Sequence, residues 1–553
     1  MKKSRIFVVS ILVLLLVLNN TMFSFVGWYK DGDKMTYVNN SGYRIANAWR
    51  ESDGMLFYLD ETGYVLYNKC FEYSGKIYCV GRNGARITDA FVDVTPDMIV
   101  GDTISPGIFY FTSNGTAFQK NSTNFTKNID GKKYAFDDEG HLMADCWLTS
   151  DGDIVDSSSD TIKEGCYYVK SDGVLMQNEW YNFTNDSASD YTLDRSNLIA
   201  ADYFDMNSLW MYFGNNCKKT VGGTTTKNIT INGKEYAFDE NGIMLMGFKK
   251  NQGEVDTNQA SNPVVSEKIR FYDKYSGELV KNRWISDITP ESFSESDFLD
   301  GKIDWYYVDS DGAIVKNKVA TVDGKKYIFD GFGRLRNGFI LIDGISYFVA
   351  EYKSEDLSRD DFIYKVSDGG KLYGSELSDI YYFDENEKNE GVMRTGTVNI
   401  ELSDGVYEFD FKPSGKAVGN RNELKLDKNT YYINSLKLKP WEDTRYGIVK
   451  VSDEEYRVIN TSGKIVTGRK RVIKDDYDNF MIILNDKLAG YILAPNRKGT
   501  VRWKTIDGIT GYYFYDQDSD PKRYTHLLVE SGVSCPTATQ IADIPNDLKV
   551  NFK

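Results

Sequence analysis

Gly42, Gly63 and Gly84 stand 21 residues apart, and each closes the same phrase. An aromatic strand comes first, then a turn of the form Asp/Asn-x-x-Gly, then a short apolar return. Residues 35–45, 56–66 and 77–87 are the first copies, and Gly312 and Gly333 repeat the 21-residue interval far along the chain. A period this short leaves room for one hairpin per copy, so the fold is set by how hairpins combine. In Tyr327-Ile328-Phe329 the two rings fall on one face of a strand. Asp330 opens the turn with a side chain suited to accepting nearby backbone amides, and Gly333 supplies the positive φ of a tight corner. Leu335 lies on the return. A lone hairpin is marginal in water, whereas copies stacked on one another bury their aromatic faces. The expected fold class is therefore all-β: tandem β-hairpin repeats stacked as a β-solenoid. Valine at Gly333 is expected to strain the turn.

Composition agrees, with 39 Tyr, 30 Phe and 47 Gly against 10 Pro. Polar stretches near 93–106, 149–164, 181–209, 251–268 and 287–302 interrupt the phrase and read as insert loops. Residues 297–299 and 355–362 suit short helical turns. After about Asn434 the phrase fades. Residues 456–466 are still a good copy, and 469–553 is looser, either a cap on the array or a small separate β domain. The expected organisation is 1–26 as signal peptide or N-terminal anchor, 27–435 as the repeat array, and 436–553 as divergent repeats or a capping β region.

The start of the chain reads as an export signal. Lys2, Lys3 and Arg5 precede an apolar run over residues 6–18 broken only by Ser10. That run falls short of the ~20 residues needed to span a bilayer. No A-x-A cleavage pattern follows, so an uncleaved segment over residues 6–26 is the one expected route to a membrane. The formal charge of −15 disfavours nucleic acid as a partner. It also disfavours simple charge attraction to anionic wall polymers and leaves aromatic or cation–π contacts for that purpose. In an exported chain Cys70 and Cys79 are close enough to sit on neighbouring strands, and Cys146 and Cys166 could bridge adjacent repeats; buried free thiols are the other reading. His141 and His526 are the only histidines and there is no C-x-x-C, so neither a metal nor a cofactor is expected. The run from Asp516 to Asp520 starts like a calcium loop, but Pro521 and Leu527 occupy the positions of its Gly and Glu. There is no Gly-x-Ser-x-Gly, no P-loop and no recognisable glycosidase domain.

Gly27-Trp28-Tyr29-Lys30, Trp305-Tyr306-Tyr307 and the stretch 231–244 ending in Gly247-Phe248 resemble the cell-wall-binding, or choline-binding, repeat family. Similar repeats form the tails of clostridial toxins and streptococcal glucan-binding proteins. The resemblance implies a hairpin solenoid that binds choline-decorated teichoic acid, other wall polymers or glucan. It also implies a ligand cage of aromatic residues plus a Met between successive units, in which a desolvated trimethylammonium gains ~2 kcal/mol or more. Carried over by motif, the candidates are Trp28, Trp49, Met55, Phe57 and Tyr58 in a first group. Met143, Trp147, Tyr168, Met176 and Trp180 form a second, and Trp284, Trp305 and Tyr307 a third. At the Met position the chain departs from the pattern, with Arg44, Val65 and Ile314. The rings could equally be stacked core, or stack on sugar C–H faces. The expectation is a noncatalytic protein, secreted or held at the cell surface, that binds wall teichoic acid, choline or glycan. The alternatives are an adhesin acting through its inserts and a hydrolase or transferase in the divergent C-terminal region.

Overall fold

The computed structural model describes residues 26–122, 124–155, 161–183, 209–223, 228–255, 267–289, 299–343, 348–364, 372, 374–375 and 377–552. The export-signal segment and most of the inserts at 181–209, 251–268 and 287–302 lie outside the described residues. What is described is almost wholly β, with short helices at Thr161–Glu164, Arg359–Ile363 and Ala538–Ala542. By internal contacts the chain divides into two compact units, residues 1–195 with 201–246 and residues 196–200 with 247–553.

The first unit is a succession of antiparallel hairpins. Among them are Gly27–Asp31 with Lys34–Val38, Ala48–Ser52 with Met55–Leu59, Lys69–Tyr73 with Lys76–Val80, and Cys146–Leu148 with Tyr167–Val169. The return after each corner stitches two hairpins together. Leu66 N donates to Tyr58 O of its own hairpin at 3.0 Å, and Val65 N donates to Met35 O of the preceding one at 2.9 Å. Ile87 N and Arg86 N repeat this with Cys79 O (2.8 Å) and Leu56 O (2.7 Å). Period two is the cause: adjacent return residues point their amides to opposite sides. Cys70 and Cys79 face each other in register and are disulfide-bonded within a buried cluster with Phe109 and Phe111. Cys146 and Cys166 are both free. Val169 is the residue opposite Cys146, so Cys166 lies three positions along the strand, about 10 Å away and beyond disulfide reach.

The second unit begins in the same way, with Arg283–Ile288 paired to Ile303–Val308 and Lys318–Val322 paired to Lys325–Phe329. Ile314 N again donates to the preceding hairpin at Ile269 O (2.8 Å), and Val315 N to Tyr307 O (2.9 Å). From Gly338–Ile342 onward sheets of three to five strands predominate, with the two-stranded hairpin Tyr446–Ser452/Glu455–Asn460 among them. Every residue of Gly338–Ile342 is buried, so both faces of the strand are covered. Its backbone groups are paired on both edges, by Phe348–Tyr352 and Asp379–Phe383. The fully buried Phe480–Leu484 is likewise central in a three-stranded sheet. That sheet shares one core with the hairpin Tyr446–Ser452/Glu455–Asn460 and with Ile544 and Leu548 near the C-terminus. Val550 N bonds Ile448 O at 3.0 Å.

The corner glycine does more than turn the chain. A Cβ on Gly333 would lie 2.3 Å from Cγ2 of Ile314, and one on Gly173 would lie 2.7 Å from Leu142. Both corners are thus seats for the return-strand side chain of the preceding hairpin. Short helical structure appears where expected, as a 3₁₀ turn at Ser354–Asp356 followed by Arg359–Ile363.

Candidate ligand-binding clefts

Trp28, Trp49, Trp147, Trp180 and Trp284 each stand second in the first strand of a hairpin, and each meets a ring of the next hairpin. Trp28 packs edge-on against its cross-strand partner Tyr37 and against Phe57, both at 5.4 Å. Trp49 meets Tyr58 and Tyr78 at 5.2 Å and Phe71 at 5.7 Å. The first candidate group therefore divides between two neighbouring clusters. Met55 stands 44% exposed at the start of its strand.

The second group divides three ways. Trp147, Tyr168 and Met176 come together with Tyr181 and Phe213, the Trp147 centroid lying 5.3 Å from Tyr168 and 5.5 Å from Tyr181. Met143 packs in a separate core with Leu148, Val169 and Cys217. Trp180 belongs one hairpin further on, 5.0 Å from both Tyr212 and Tyr236.

The third group stays together and opens to solvent. Trp284 pairs across the strands with Tyr307, at 5.3 Å between centroids, and reaches Tyr327 of the next hairpin at 4.9 Å. Trp305, two residues from Tyr307 and on the same strand face, is 44% exposed. Beside them is a cleft of about 210 Å³ lined by Trp284, Trp305, Tyr327 and Leu335, with Lys325 and the turn Glu387-Lys388-Asn389-Glu390 along its rim. Tyr327 and Leu335 were absent from the sequence-derived set, although Leu335 could have been found as the Met-position residue of the next repeat. Nothing local in the sequence points to the 387–390 turn.

Charge enters these clefts from the chain itself. The Arg86 guanidinium lies 5.6 Å from the Trp49 ring centre, and Lys219 Nζ lies 5.9 Å from that of Trp147. Arg44 lies over Tyr64 at 4.4 Å and is ion-paired to Asp31. Lys219 is only 7% exposed, and burial pushes its ammonium down to about 8 from 10.5. Between those values the unfolded chain binds the proton that the folded chain has lost, so stability rises as pH climbs through that window. Tyr181, beside Trp147, is pushed up to about 12 by burial and stays protonated there. Urea unfolding between pH 7 and 9.5 is expected to show the first unit gaining stability in wild type and to lose that slope in Lys219→Met.

No family model matches the chain. Over 245 residues, 42% of its length, it is 29% identical to a glucosyltransferase-S of Streptococcus mutans serotype c, of which the match covers 14%. Over 326 residues it is 23% identical to a glucosyltransferase-I of Streptococcus downei, covering 55% of this chain and 18% of that one. The chain thus spans under a fifth of the length of these curated relatives. Among solved structures, choline-binding protein F of Streptococcus pneumoniae, determined with a peptidoglycan analogue, aligns over 71% of this chain and 98% of its own, with 13% identity and a TM-score of 0.30. The modular autolysin LytC of the same organism aligns over 61% of this chain and 56% of its own, with 17% identity and a TM-score of 0.26. With its recurrent aromatic hairpin phrase, the chain resembles the choline-binding and glucan-binding repeat family.

Proposed function

We propose that the protein is a noncatalytic, secreted or wall-associated surface protein whose hairpins wind as a β-solenoid and bind cell-wall polymers or glycans in the aromatic clefts between them. The Trp284 cleft carries this reading: the exposed ring of Trp305 and the half-buried rings of Trp284 and Tyr327 converge with both signs of charge in one concave site. Ring faces attract ammonium groups and stack on sugar C–H faces. Glu387 and Glu390 complement a cationic substituent, while Lys325 and Lys388 complement phosphate or hydroxyl oxygens. Choline-bearing teichoic acid and neutral glucan both suit such a surface. The match to under a fifth of the glucosyltransferases supports binding rather than their whole activity.

The test is retention of the full chain on purified cell walls, with choline and soluble glucan as eluants. Trp284→Ala and Trp305→Ala are each expected to weaken retention about tenfold or more, a loss of ~1.4 kcal/mol. Zymograms on peptidoglycan and glucan should show no clearing. Unchanged retention in both variants, or a cleared zone, would overturn the proposal.

A further inference from the structure

One position in the repeat differs between the Trp49, Trp147 and Trp284 clefts. It is the return residue opposite the last core residue of the second strand: Val80 faces Arg86, Phe213 faces Lys219, and Phe329 faces Leu335. Each of these residues reaches back to the ring of the preceding hairpin. Arg86 N bonds Leu56 O at 2.7 Å, and its guanidinium stands over Trp49. Lys219 N bonds Cys166 O at 2.7 Å, and its ammonium stands over Trp147. Leu335 instead forms a wall of the Trp284 cleft. Among the described residues, no lysine or arginine stands over the Trp284 or Trp305 ring.

The two cations are held in place by the packing. A Cβ on the next corner would meet Arg86 at Gly115, 2.5 Å from Cδ, and Lys219 at Gly242, 2.9 Å from Cγ and Cδ. The buried Nε of Arg86 has no hydrogen-bond partner, which leaves it to the aromatic surroundings. Trp147 is itself only 7% exposed beneath Lys219.

The geometry points to Arg86 and Lys219 as resident cations that fill the Trp49 and Trp147 clefts and close them to an external ammonium, while an aliphatic residue at the same position, Leu335, keeps the Trp284 cleft open. The side chain at this position is then a specificity determinant. The Trp49 and Trp147 rings under their resident cations serve the fold, and the Trp284 ring beside Leu335 serves a ligand. The inference rests on the reading that the ring clefts are the binding surfaces, and it assigns which of them are competent.

The test is a choline titration of the full chain, read by calorimetric stoichiometry and by the indole N–H signals of each tryptophan. In wild type, the Trp284 signal should move and those of Trp49 and Trp147 should not. Arg86→Leu and Lys219→Leu should each add one site and make the corresponding indole responsive. Leucine already occupies this position at Leu142, Leu175 and Leu335, so both variants should fold. Leu335→Lys should remove the Trp284 response. A wild-type shift at Trp49 or Trp147, or folded leucine variants that gain no site, would overturn the inference. Silence at Trp284 in wild type would overturn it as well, whereas failure of the cell-wall retention test would sink the functional proposal instead.

Discussion

Asp330→Ala is expected to lower the stability of the second unit by about 3–5 kcal/mol, the range for removing one partner of a buried ion pair. Asp330 is 3% exposed and does two jobs at once. Its Oδ1 accepts the backbone amides of Phe332 at 3.0 Å and Arg334 at 2.9 Å, which fixes the corner. Its Oδ2 accepts from Arg334 Nε at 2.8 Å and from Arg336 Nε at 3.0 Å and Nη2 at 2.6 Å. Burial alone would favour an uncharged Arg336, but Asp330 and Glu351 outweigh it and hold its pKa above the usual arginine value. Alanine leaves that guanidinium with Glu351, 3.5 Å away, as its remaining ion-pair partner. Asp60 is the control. It accepts the amides of Thr62 at 2.8 Å and Tyr64 at 2.9 Å and the Thr62 hydroxyl at 2.6 Å in an equivalent turn on the first unit, with no arginine among the described residues paired to it. Asp60→Ala should cost only ~1 kcal/mol, the ordinary worth of such hydrogen bonds. Asp330→Asn keeps the turn acceptor, loses the charge and should fall between the two. The measurement is the shift of each unit's urea midpoint at unchanged slope. Equal losses at Asp330 and Asp60 would refute the ion-pair account.

The hairpins were legible because their determinants are local. Tyr327 and Phe329 share a face by period two, and Asp330 and Gly333 mark the corner a few residues later. The wider sheets after Gly338 were less legible, since an apolar run shows that a strand is buried but not which neighbours cover it. The site was legible in proportion to how near its parts lie in sequence. Trp284, Trp305 and Tyr307 belong to one hairpin and stayed together. Carrying Met143, Trp147 and Trp180 over by motif as one group did not anticipate that each ring looks to the following hairpin: Trp180 meets Tyr236, and Trp147 meets Phe213. The departures Arg44, Val65 and Ile314 at the Met position were visible as substitutions. What those side chains touch depends on stacking, which no single repeat encodes.

Stacking is tested most directly at Gly333, where valine is expected to destabilise the second unit by about 3–5 kcal/mol. Two costs combine. The residue sits at φ +90, where an L side chain loses roughly 1–2 kcal/mol and a β-branched one more. Its Cβ would also fall 2.3 Å from Ile314 Cγ2, an overlap that requires the preceding hairpin to move, and such overpacking costs about 1–3 kcal/mol. Ile314 is 4% exposed in a core with Phe248, Ile285 and Tyr306, so it has little room to yield. Backbone strain and overlap are separable by a double-mutant cycle. Gly333→Ala carries both costs, and Ile314→Ala removes the atom that is struck. If the corner is the seat of the preceding return strand, Gly333→Ala should cost less in the Ile314→Ala background than in wild type, by roughly 1 kcal/mol or more. Gly54, at a hairpin tip with φ +76 and nothing within 4 Å of its Cβ position, supplies the strain-only reference. Gly54→Ala should cost no more than Gly333→Ala costs with Ile314 truncated. Strict additivity of Gly333 and Ile314 would mean that the corner glycines only turn the chain, and the stitched-hairpin account of the fold would lose its principal side-chain contact.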